Sequence, residues 1–292
     1  MTAGLPSPLI DAPTLRERLA RGCPMRVFDC SFDLANPTAG RAQYRSGHIP
    51  GARYVHLDDD LSASAEDEAP AASGGRHPLP AREVFARRLR AWGLKRDEAV
   101  VVYDRQGGMV CGRLWWMLRW CGHAPVAVLD GGWAAWAAAG GAVETDDTAP
   151  ATAGDFSLGV ALVTLRRADE VAAALGTPGQ TLIDGRAAPR YRGEVEPLDP
   201  IAGHIPGALN RPFTENFNAD GRYKSPGRLR TEFEALLAGR DPSTAVHHCG
   251  SGVSAIPNLL AMAIAGLGTA PLFAGGWSQW CRTPGLPCAR SS

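Results

Sequence analysis

A repeated hexapeptide is the feature that most constrains this chain. GHIPGA occurs at residues 47–52 and again at residues 203–208, and a GGW tripeptide begins at Gly131 and again at Gly275. Both pairs keep their order along the chain, which is the signature of two copies of one structural unit. Since His48 and His204 are equivalent in the two copies, we expect them to brace a turn rather than to take part in chemistry.

The repeats divide the 292 residues into two domains of ordinary size. Residues 144–155 read ETDDTAPATAGD, which has no apolar periodicity and is typical of a linker. We therefore predict an N-terminal domain over residues 1–143, a linker over 144–155 and a C-terminal domain over 156–292.

Strand and helix patterns alternate within each half. VVVY (100–103) and PVAVLD (125–130) flank the helix-like VCGRLWWMLRWCG, while AVHH (245–248) and APLF (270–273) flank VSAIPNLLAMAIAGLG. The order strand, helix, strand predicts the α/β class, with a mainly parallel sheet flanked by helices in each domain.

The composition indicates which kinds of partner the protein has and in which cellular compartment it works. Thirty Lys and Arg residues balance thirty Asp and Glu residues, so no large field attracts nucleic acid or an anionic membrane. No apolar run approaches the roughly 20 residues of a membrane helix, and the first residues lack the pattern of a secretory signal. Seven cysteines without a CxxC pair are typical of free thiols in a reducing compartment. We expect a cytoplasmic protein with a small-molecule partner.

Cys249 is the candidate nucleophile. It follows the strand AVHH, is followed by Gly250 and Gly252, and stands where a helix is expected to open. Glycines allow successive backbone amides to surround an anion, and a helix N-terminus adds partial positive charge, so the thiolate is favoured near neutral pH. The alternative is an inert buried cysteine. In the first half Asp104 occupies the equivalent place, so that half lacks a nucleophile.

Other interpretations of the same loop fit less well. A cysteine phosphatase needs an arginine six residues after the cysteine to grip phosphoryl oxygens, and residue 255 is alanine. A non-catalytic binding module remains an alternative. A zinc site is poorly spaced, because adjacent strand residues point to opposite faces; its ligands would come from His247, His248, Cys249, Cys281 and Cys288.

Several motifs in one order resemble the rhodanese superfamily, specifically its tandem-domain 3-mercaptopyruvate and thiosulfate sulfurtransferases. They are the paired GHIPGA, DGRAAPRYRGEVEP from Asp184, CGSGVSA from Cys249, and GGWSQW. The resemblance implies an inactive N-terminal domain, a catalytic C-terminal domain and an active site in the cleft between them. It also implies that Cys249 carries sulfur as a persulfide to a thiol, cyanide or a reduced thioredoxin-like protein, without a metal or organic cofactor.

The resemblance also implies residue roles. Ser251 assists proton transfer and acts with His77 and Asp58, and Arg190 holds the anionic group of the donor. The remaining residues expected around the donor are Gly250, Gly252, Val253, Ser254 and Arg186, the last with a structural role favoured.

Donor identity is the open point. The loop CGSGV resembles the 3-mercaptopyruvate type, since thiosulfate enzymes carry basic residues after the nucleophile. However, Leu198 stands where the 3-mercaptopyruvate enzymes have a second carboxylate-binding arginine. Arg192, Arg211 and Arg222 are candidates to replace it, and thiosulfate remains the alternative donor.

Overall fold

The structure is a computed structural model that describes residue 5, residues 8–148 and residues 152–291. The chain forms two compact units, and neither is continuous in sequence. The first comprises Met1–Pro70, Pro80–Leu162 and Asn218–Tyr223, and the second comprises Ala71–Leu79, Val163–Phe217 and Lys224–Ser292. Residues 71–79, from the first half of the sequence, therefore belong to the second unit. Residues 149–151 of the expected linker lie outside the described residues, and the domain bounds given above stay a prediction.

The first unit is a parallel sheet with helices in its crossovers. Its elements are β1 (Leu9–Ile10), α1 (Ala12–Ala20), β2 (Met25–Asp29), α2 (Ala39–Ser46), β3 (Arg53–Tyr54), α3 (Leu57–Leu61), α4 (Arg82–Ala91), β4 (Ala99–Tyr103), α5 (Met109–Trp120), β5 (Val126–Leu129) and α6 (Gly132–Ala138). The strand order is β1-β5-β4-β2-β3, with parallel pairing throughout. The central strand β4 is buried along Val100–Tyr103, as a parallel sheet covered on both faces requires.

The second unit repeats this plan with a smaller sheet. Its elements are α7 (Ala168–Ala173), β6 (Thr181–Asp184), α8 (Ala188–Arg192), β7 (Leu209–Asn210), α9 (Pro226–Leu237), β8 (Ala245–His248), α10 (Ile256–Ile264) and α11 (Gly276–Trp280), with 3-10 turns at Phe213–Asn216 and Pro242–Thr244. The strands lie in the order β7-β6-β8 and all pair in parallel. The α/β class and the parallel sheets are confirmed in both units.

One expected strand is reduced to a single bridging residue. In APLF only Leu272 pairs, with His247 on one side and Leu165 on the other. Pro271 lacks an N–H to donate, and Phe273 turns at once into the Ala274 and Gly275 turn before α11. The prediction of a strand over residues 270–273 was therefore too long, although the chain runs beside β8 as expected.

The repeated histidines occupy the same environment in each unit. His48 stacks on Tyr44 at 3.8 Å and its Nδ1 lies 2.8 Å from the Tyr44 carbonyl. His204 stacks on Tyr191 at 4.0 Å and its Nδ1 lies 2.8 Å from the Tyr191 carbonyl. Both side chains are buried before a turn that leads into a short strand, which is the bracing role expected of them. Among the described residues, no helix combines the length and apolarity needed to cross a bilayer.

Candidate active site

Cys249 directly follows β8, and the six residues 250–255 form a loop before α10. The thiol-bearing residue is only 1% exposed. The sequence had placed the helix start at the cysteine, but α10 begins at Ile256, because Pro257 suits the first turn of a helix and the glycine-containing segment before it does not continue one. The backbone around Cys249 is therefore a loop, and the helix N-terminus lies beyond it.

The start of α11 holds this loop in place. The N–H of Trp277 donates to the Cys249 carbonyl at 2.7 Å, and the N–H of Ser278 donates to the Gly250 carbonyl at 2.8 Å. Gly276, at φ +54°, lies so close to the Cys249 carbonyl that a Cβ would overlap it. Gly252, at φ +71°, similarly lies against Ala274. The loop conformation thus depends on glycine at both positions.

Ser251 and His77 lie in direct contact. His77 Nδ1 is 2.8 Å from Ser251 Oγ, and the two residues are 6% and 7% exposed. The structure therefore brings together two of the residues expected to act with Cys249. Asp58 lies on α3 in the first unit, where burial raises the pKa of its carboxyl group, and its expected part beside His77 stays a prediction. Of the other loop residues, Val253 is buried and Ser254 is partly exposed.

Arg190, on α8, points its guanidinium at the loop. If Gly250 had a Cβ, that atom would lie 3.7 Å from Arg190 Nη1 and 4.0 Å from Nη2. Arg190 Nη2 donates to Glu196 Oε1 at 2.6 Å and lies 3.5 Å from Asp199 Oδ2. Two buried carboxylates therefore orient the cation beside the residue that follows Cys249, as expected of a residue that binds an anionic group.

Arg186 has its donors occupied within the fold. It forms ion pairs with Asp184 at 2.6 Å and Glu196 at 3.4 Å, donates to the Gly203 carbonyl, and stacks on Trp277. Its side chain is buried, so these contacts favour the structural role over substrate binding. Burial alone would raise the pKa of Asp184, but the nearby His248 and Arg186 outweigh it and hold that pKa below its ordinary value.

Arg76 is the residue that sequence reasoning missed. Its Nη2 would lie 3.2 Å from a Cβ at Gly250, nearer than either Arg190 nitrogen, and its Nη1 donates to Asp199 Oδ1 at 3.0 Å. Nothing local in GGRHPLP distinguishes it from a solvated arginine, because the carboxylate that orients it is 123 residues away. Its position next to His77 was the only available signal.

The three arginines named as replacements at residue 198 are paired elsewhere. Arg192 forms an exposed pair with Glu194 at 2.6 Å. Arg211 is buried and pairs with Glu232 at 2.9 Å on α9. Arg222 belongs to the first unit and lies 3.9 Å from Asp220. The contacts of all three are therefore explained without a ligand.

The first unit shows what occupies the equivalent loop when cysteine is absent. The Asp104 carboxylate follows β4 and accepts backbone N–H groups at 2.8–3.0 Å from Gln106, Gly108, Val110 and Cys111. Burial raises the pKa of Asp104, and hydrogen bonds from the amides of Cys111, Gly108 and Gln106 oppose that rise. A strand-to-helix loop in this chain thus directs main-chain donors at the oxygens of an acidic side chain. Cys111 lies on α5, and burial raises its thiol pKa well above the ordinary value.

Over the described residues, no group of three or more His, Cys, Asp or Glu side chains is arranged to hold a metal ion. Burial lowers the pKa of His247, one of the proposed zinc ligands, to about 3, with smaller contributions from His248 and Arg211. Its Nε2 lies 2.9 Å from Met262 Sδ, a contact within the core.

Comparison with known proteins agrees with this geometry. Residues 11–139 and 167–283 each match the rhodanese-like domain. The chain belongs to the rhodanese family. Its two rhodanese-like domains correspond to the two copies seen in the sequence, and Asp104 and Cys249 are the residues at equivalent loops.

Rhodanese relatives resemble the chain along nearly its whole length. A protein named as a probable 3-mercaptopyruvate sulfurtransferase from Pseudomonas aeruginosa is 45% identical over 282 residues, covering 96% of this chain and 97% of the relative. A putative thiosulfate sulfurtransferase from Mycobacterium tuberculosis, SseB, is 39% identical over 287 residues, covering 97% of each. The solved 3-mercaptopyruvate sulfurtransferase of Leishmania major superposes with a TM-score of 0.78 at 30% identity, covering 96% of this chain and 76% of that one.

Proposed function

We propose that this rhodanese is a sulfurtransferase that moves a sulfane sulfur from 3-mercaptopyruvate, through a persulfide on Cys249, to an acceptor. The observation that carries the proposal is the position of Cys249 at the end of β8, in a glycine loop beside the guanidinium of Arg190. A nucleophilic sulfur and a cation that can bind an anionic donor thus lie beside the same short loop. The names of the 45% identical relative and of the Leishmania structure support the choice of donor.

The first step is attack of the Cys249 thiolate on the donor sulfur. An S–S bond forms as the donor's C–S bond breaks, and the electron pair of that bond passes to the donor carbon as the enolate of pyruvate. The donor's S–H proton is released from the new persulfide, and one proton is returned to carbon when the enolate becomes pyruvate. We infer that amides of the loop 250–255 stabilise the anionic sulfur, as the amides after Asp104 stabilise its carboxylate.

Ser251 and His77 serve the leaving enolate. The Ser251 hydroxyl, oriented by His77 Nδ1 at 2.8 Å, donates to the carbonyl oxygen on which negative charge develops as the C–S bond breaks. This stabilisation is required only in the transition state and in the enolate, so it acts on turnover more than on binding. The participation of Asp58 remains a prediction.

The second step transfers the outer sulfur to an acceptor. A thiolate, cyanide or a thioredoxin-like protein attacks that sulfur, forms a new bond to it and releases Cys249 as thiolate. In each step the transferred sulfur gains an electron pair from the attacking group as it loses one to the leaving group. Neither step therefore calls for a metal or an organic cofactor. Among acceptors, we propose small thiols and thioredoxin-like proteins in the cytoplasm, where cysteines remain reduced; all seven cysteines here are free.

Thiosulfate is the second candidate donor for two reasons. The 39% identical relative is named as a putative thiosulfate sulfurtransferase, and Leu198 stands where an arginine is expected to bind the carboxylate of 3-mercaptopyruvate. The two donors differ in the group that the site has to hold, a planar carboxylate beside a carbonyl or a sulfonate. Arg190 suits either by its fork of N–H donors. Ser251, in contrast, has a carbonyl to polarise only in 3-mercaptopyruvate.

Turnover measured with both donors tests the proposal. With cyanide as acceptor, we expect thiocyanate formation from 3-mercaptopyruvate, with release of pyruvate, to exceed that from thiosulfate in kcat/KM. Cys249→Ser should abolish both reactions, whereas Cys288→Ser, at an exposed cysteine, should leave them unchanged. Greater turnover with thiosulfate would reverse the donor assignment, and turnover by Cys249→Ser would refute the mechanism.

A further inference from the structure

Two guanidinium groups meet beside the residue that follows Cys249. Arg76 Nη2 and Arg190 Nη1 lie 3.2 and 3.7 Å from the place a Cβ of Gly250 would take. We propose that Arg76 is the second residue that binds the donor's carboxylate and that it thereby sets the preference for an α-keto acid donor. The inference rests on the proposed function and adds the residue that the sequence left unassigned.

Asp199 contacts and orients both guanidinium groups, those of Arg76 and Arg190. Its side chain is fully buried; Oδ1 accepts Arg76 Nη1 at 3.0 Å, and Oδ2 lies 3.5 Å from Arg190 Nη2. Arg76 therefore uses one terminal nitrogen for Asp199, and the other, Nη2, is the atom nearest Gly250. A guanidinium held this way presents a fixed donor to a ligand, with little side-chain entropy left to lose on binding.

The two arginines also have hydrogen-bonding capacity to spare. Within the described part of the chain, the Nε atoms of Arg76 and Arg190 are buried and have no hydrogen-bond partner. Buried donors are rarely left without a partner in proteins. The surrounding cluster has one positive charge in excess, since four guanidinium groups face three carboxylates: Arg76, Arg186, Arg190 and Arg282 against Asp184, Glu196 and Asp199.

Arg76 is fixed to the same frame as the nucleophile. Its backbone N–H donates to Ser278 Oγ at 2.9 Å, and the N–H of Ser278 donates to the Gly250 carbonyl at 2.8 Å. Gly75, at φ +91°, allows this approach, because a Cβ there would lie 2.5 Å from the Gly275 carbonyl. One residue of α11 thus joins the backbone of Arg76 to the loop of Cys249.

Arg76 also accounts for the leucine at residue 198. Leu198 is exposed, and its carbonyl oxygen lies 3.5 Å from Arg76 Nη1. A guanidinium is therefore already present at this point of the chain, supplied by the segment 71–79. Arg192, which lies on the same helix as Arg190 and is paired with Glu194, is the rival for this role and serves as the matched control.

The test compares Arg76→Gln with Arg192→Gln on 3-mercaptopyruvate and on mercaptoacetone, the same donor without its carboxylate. Loss of a charged hydrogen bond predicts that Arg76→Gln raises KM for 3-mercaptopyruvate by about 10- to 100-fold with kcat nearly unchanged. Its kcat/KM for mercaptoacetone should stay within about threefold of the wild type. Arg192→Gln should match the wild type on both donors.

Arg76→Lys keeps the charge without the fork and should show a smaller rise in KM, which tests the role in a variant that preserves the ion pair with Asp199. An unchanged KM for 3-mercaptopyruvate in Arg76→Gln, or an equal loss with both donors, would overturn the inference. So would a selective rise in KM in Arg192→Gln. Failure of the wild-type protein to transfer sulfur from either donor would instead refute the proposed function.

Discussion

His77 Nδ1 lies 2.8 Å from Ser251 Oγ although 174 residues separate the two in sequence. The segment 71–79 packs with the second unit rather than with the unit that surrounds it in sequence. That segment brings both His77 and Arg76 to the loop of Cys249. The second unit therefore contains the proposed nucleophile, a hydroxyl in contact with a histidine, and two guanidinium groups beside the same loop.

The pair Ser251 and His77 should behave as one catalytic unit. Ser251→Ala and His77→Gln are each expected to lower kcat with 3-mercaptopyruvate by about 10- to 100-fold, since each removes the oriented donor to the enolate oxygen. The double variant should be no slower than the slower single variant, because the histidine acts through the serine. Steady-state kinetics check this, with thermal unfolding as control. Multiplicative losses would show that the two residues act separately.

Asp104 should be important for stability. Asp104→Ala leaves four amides without their acceptor, of which those of Val110 and Cys111 are buried and those of Gln106 and Gly108 partly buried, and we expect the free energy of unfolding to fall by about 2–4 kcal/mol. Asp33→Ala is the matched control, because Asp33 is exposed and its carboxylate accepts the N–H of Ala35; the substitution should change stability by less than about 0.5 kcal/mol. Urea unfolding measures both, and equal losses would contradict the assignment.

Near neutral pH, Cys249 should react faster than the three other cysteines that are at most 1% exposed, Cys30, Cys111 and Cys121. Burial raises the thiol pKa of Cys30 and Cys111 well above its ordinary value and that of Cys121 to about 12, so these three remain protonated and unreactive. Peptide mapping after brief treatment with iodoacetamide should find Cys249 modified and the other three intact, and prior incubation with 3-mercaptopyruvate should change the adduct at Cys249. Modification of Cys111 at a comparable rate would contradict this expectation.

Mild acid should destabilise the fold through its buried histidines. Burial holds the pKa of His247 at about 3, whereas an unfolded histidine titrates near about 6.5. Between these two pH values the unfolded chain therefore binds a proton at His247 that the folded chain does not bind. The contribution of His247 to the free energy of unfolding is fully present above about pH 6.5. It is lost as the pH falls toward 3, by about 1.4 kcal/mol per pH unit. Burial lowers the pKa of His248 as well.

Urea unfolding at pH 7, 6 and 5 tests that dependence. The wild type should lose stability over this range, and His247→Gln should lose less of it because one of the titrating groups is gone. Equal free energies of unfolding at pH 7 and pH 5 would show that these histidines are not buried in the neutral form.

Much of this arrangement could be predicted because its signals are local. The run AVHH followed by a cysteine and two glycines identified β8, the loop and Cys249, and the repeated GHIPGA identified two related units. Buried parallel strands require β-branched and apolar runs, so β4 and β5 could also be predicted from the sequence. Asp104 as the counterpart of Cys249 followed from laying one copy on the other.

The rest depends on contacts that are distant in sequence. Arg76 is oriented by Asp199, 123 residues away, and no pattern near residue 76 reveals that carboxylate. The membership of residues 71–79 in the second unit is set by tertiary packing in the same way. The start of α10 was misplaced because the glycines were interpreted as a helix entrance, whereas Pro257 fixes the first turn further along the chain.

The central claim is that Cys249 accepts a sulfur atom, and the intact mass of the protein tests it most directly. After brief incubation with 3-mercaptopyruvate and removal of the donor, we expect an added mass of one sulfur atom that is located at Cys249, is removed by cyanide and is absent from Cys249→Ser. A protein that releases no pyruvate and keeps its original mass would contradict the account, as would an added sulfur carried at another cysteine.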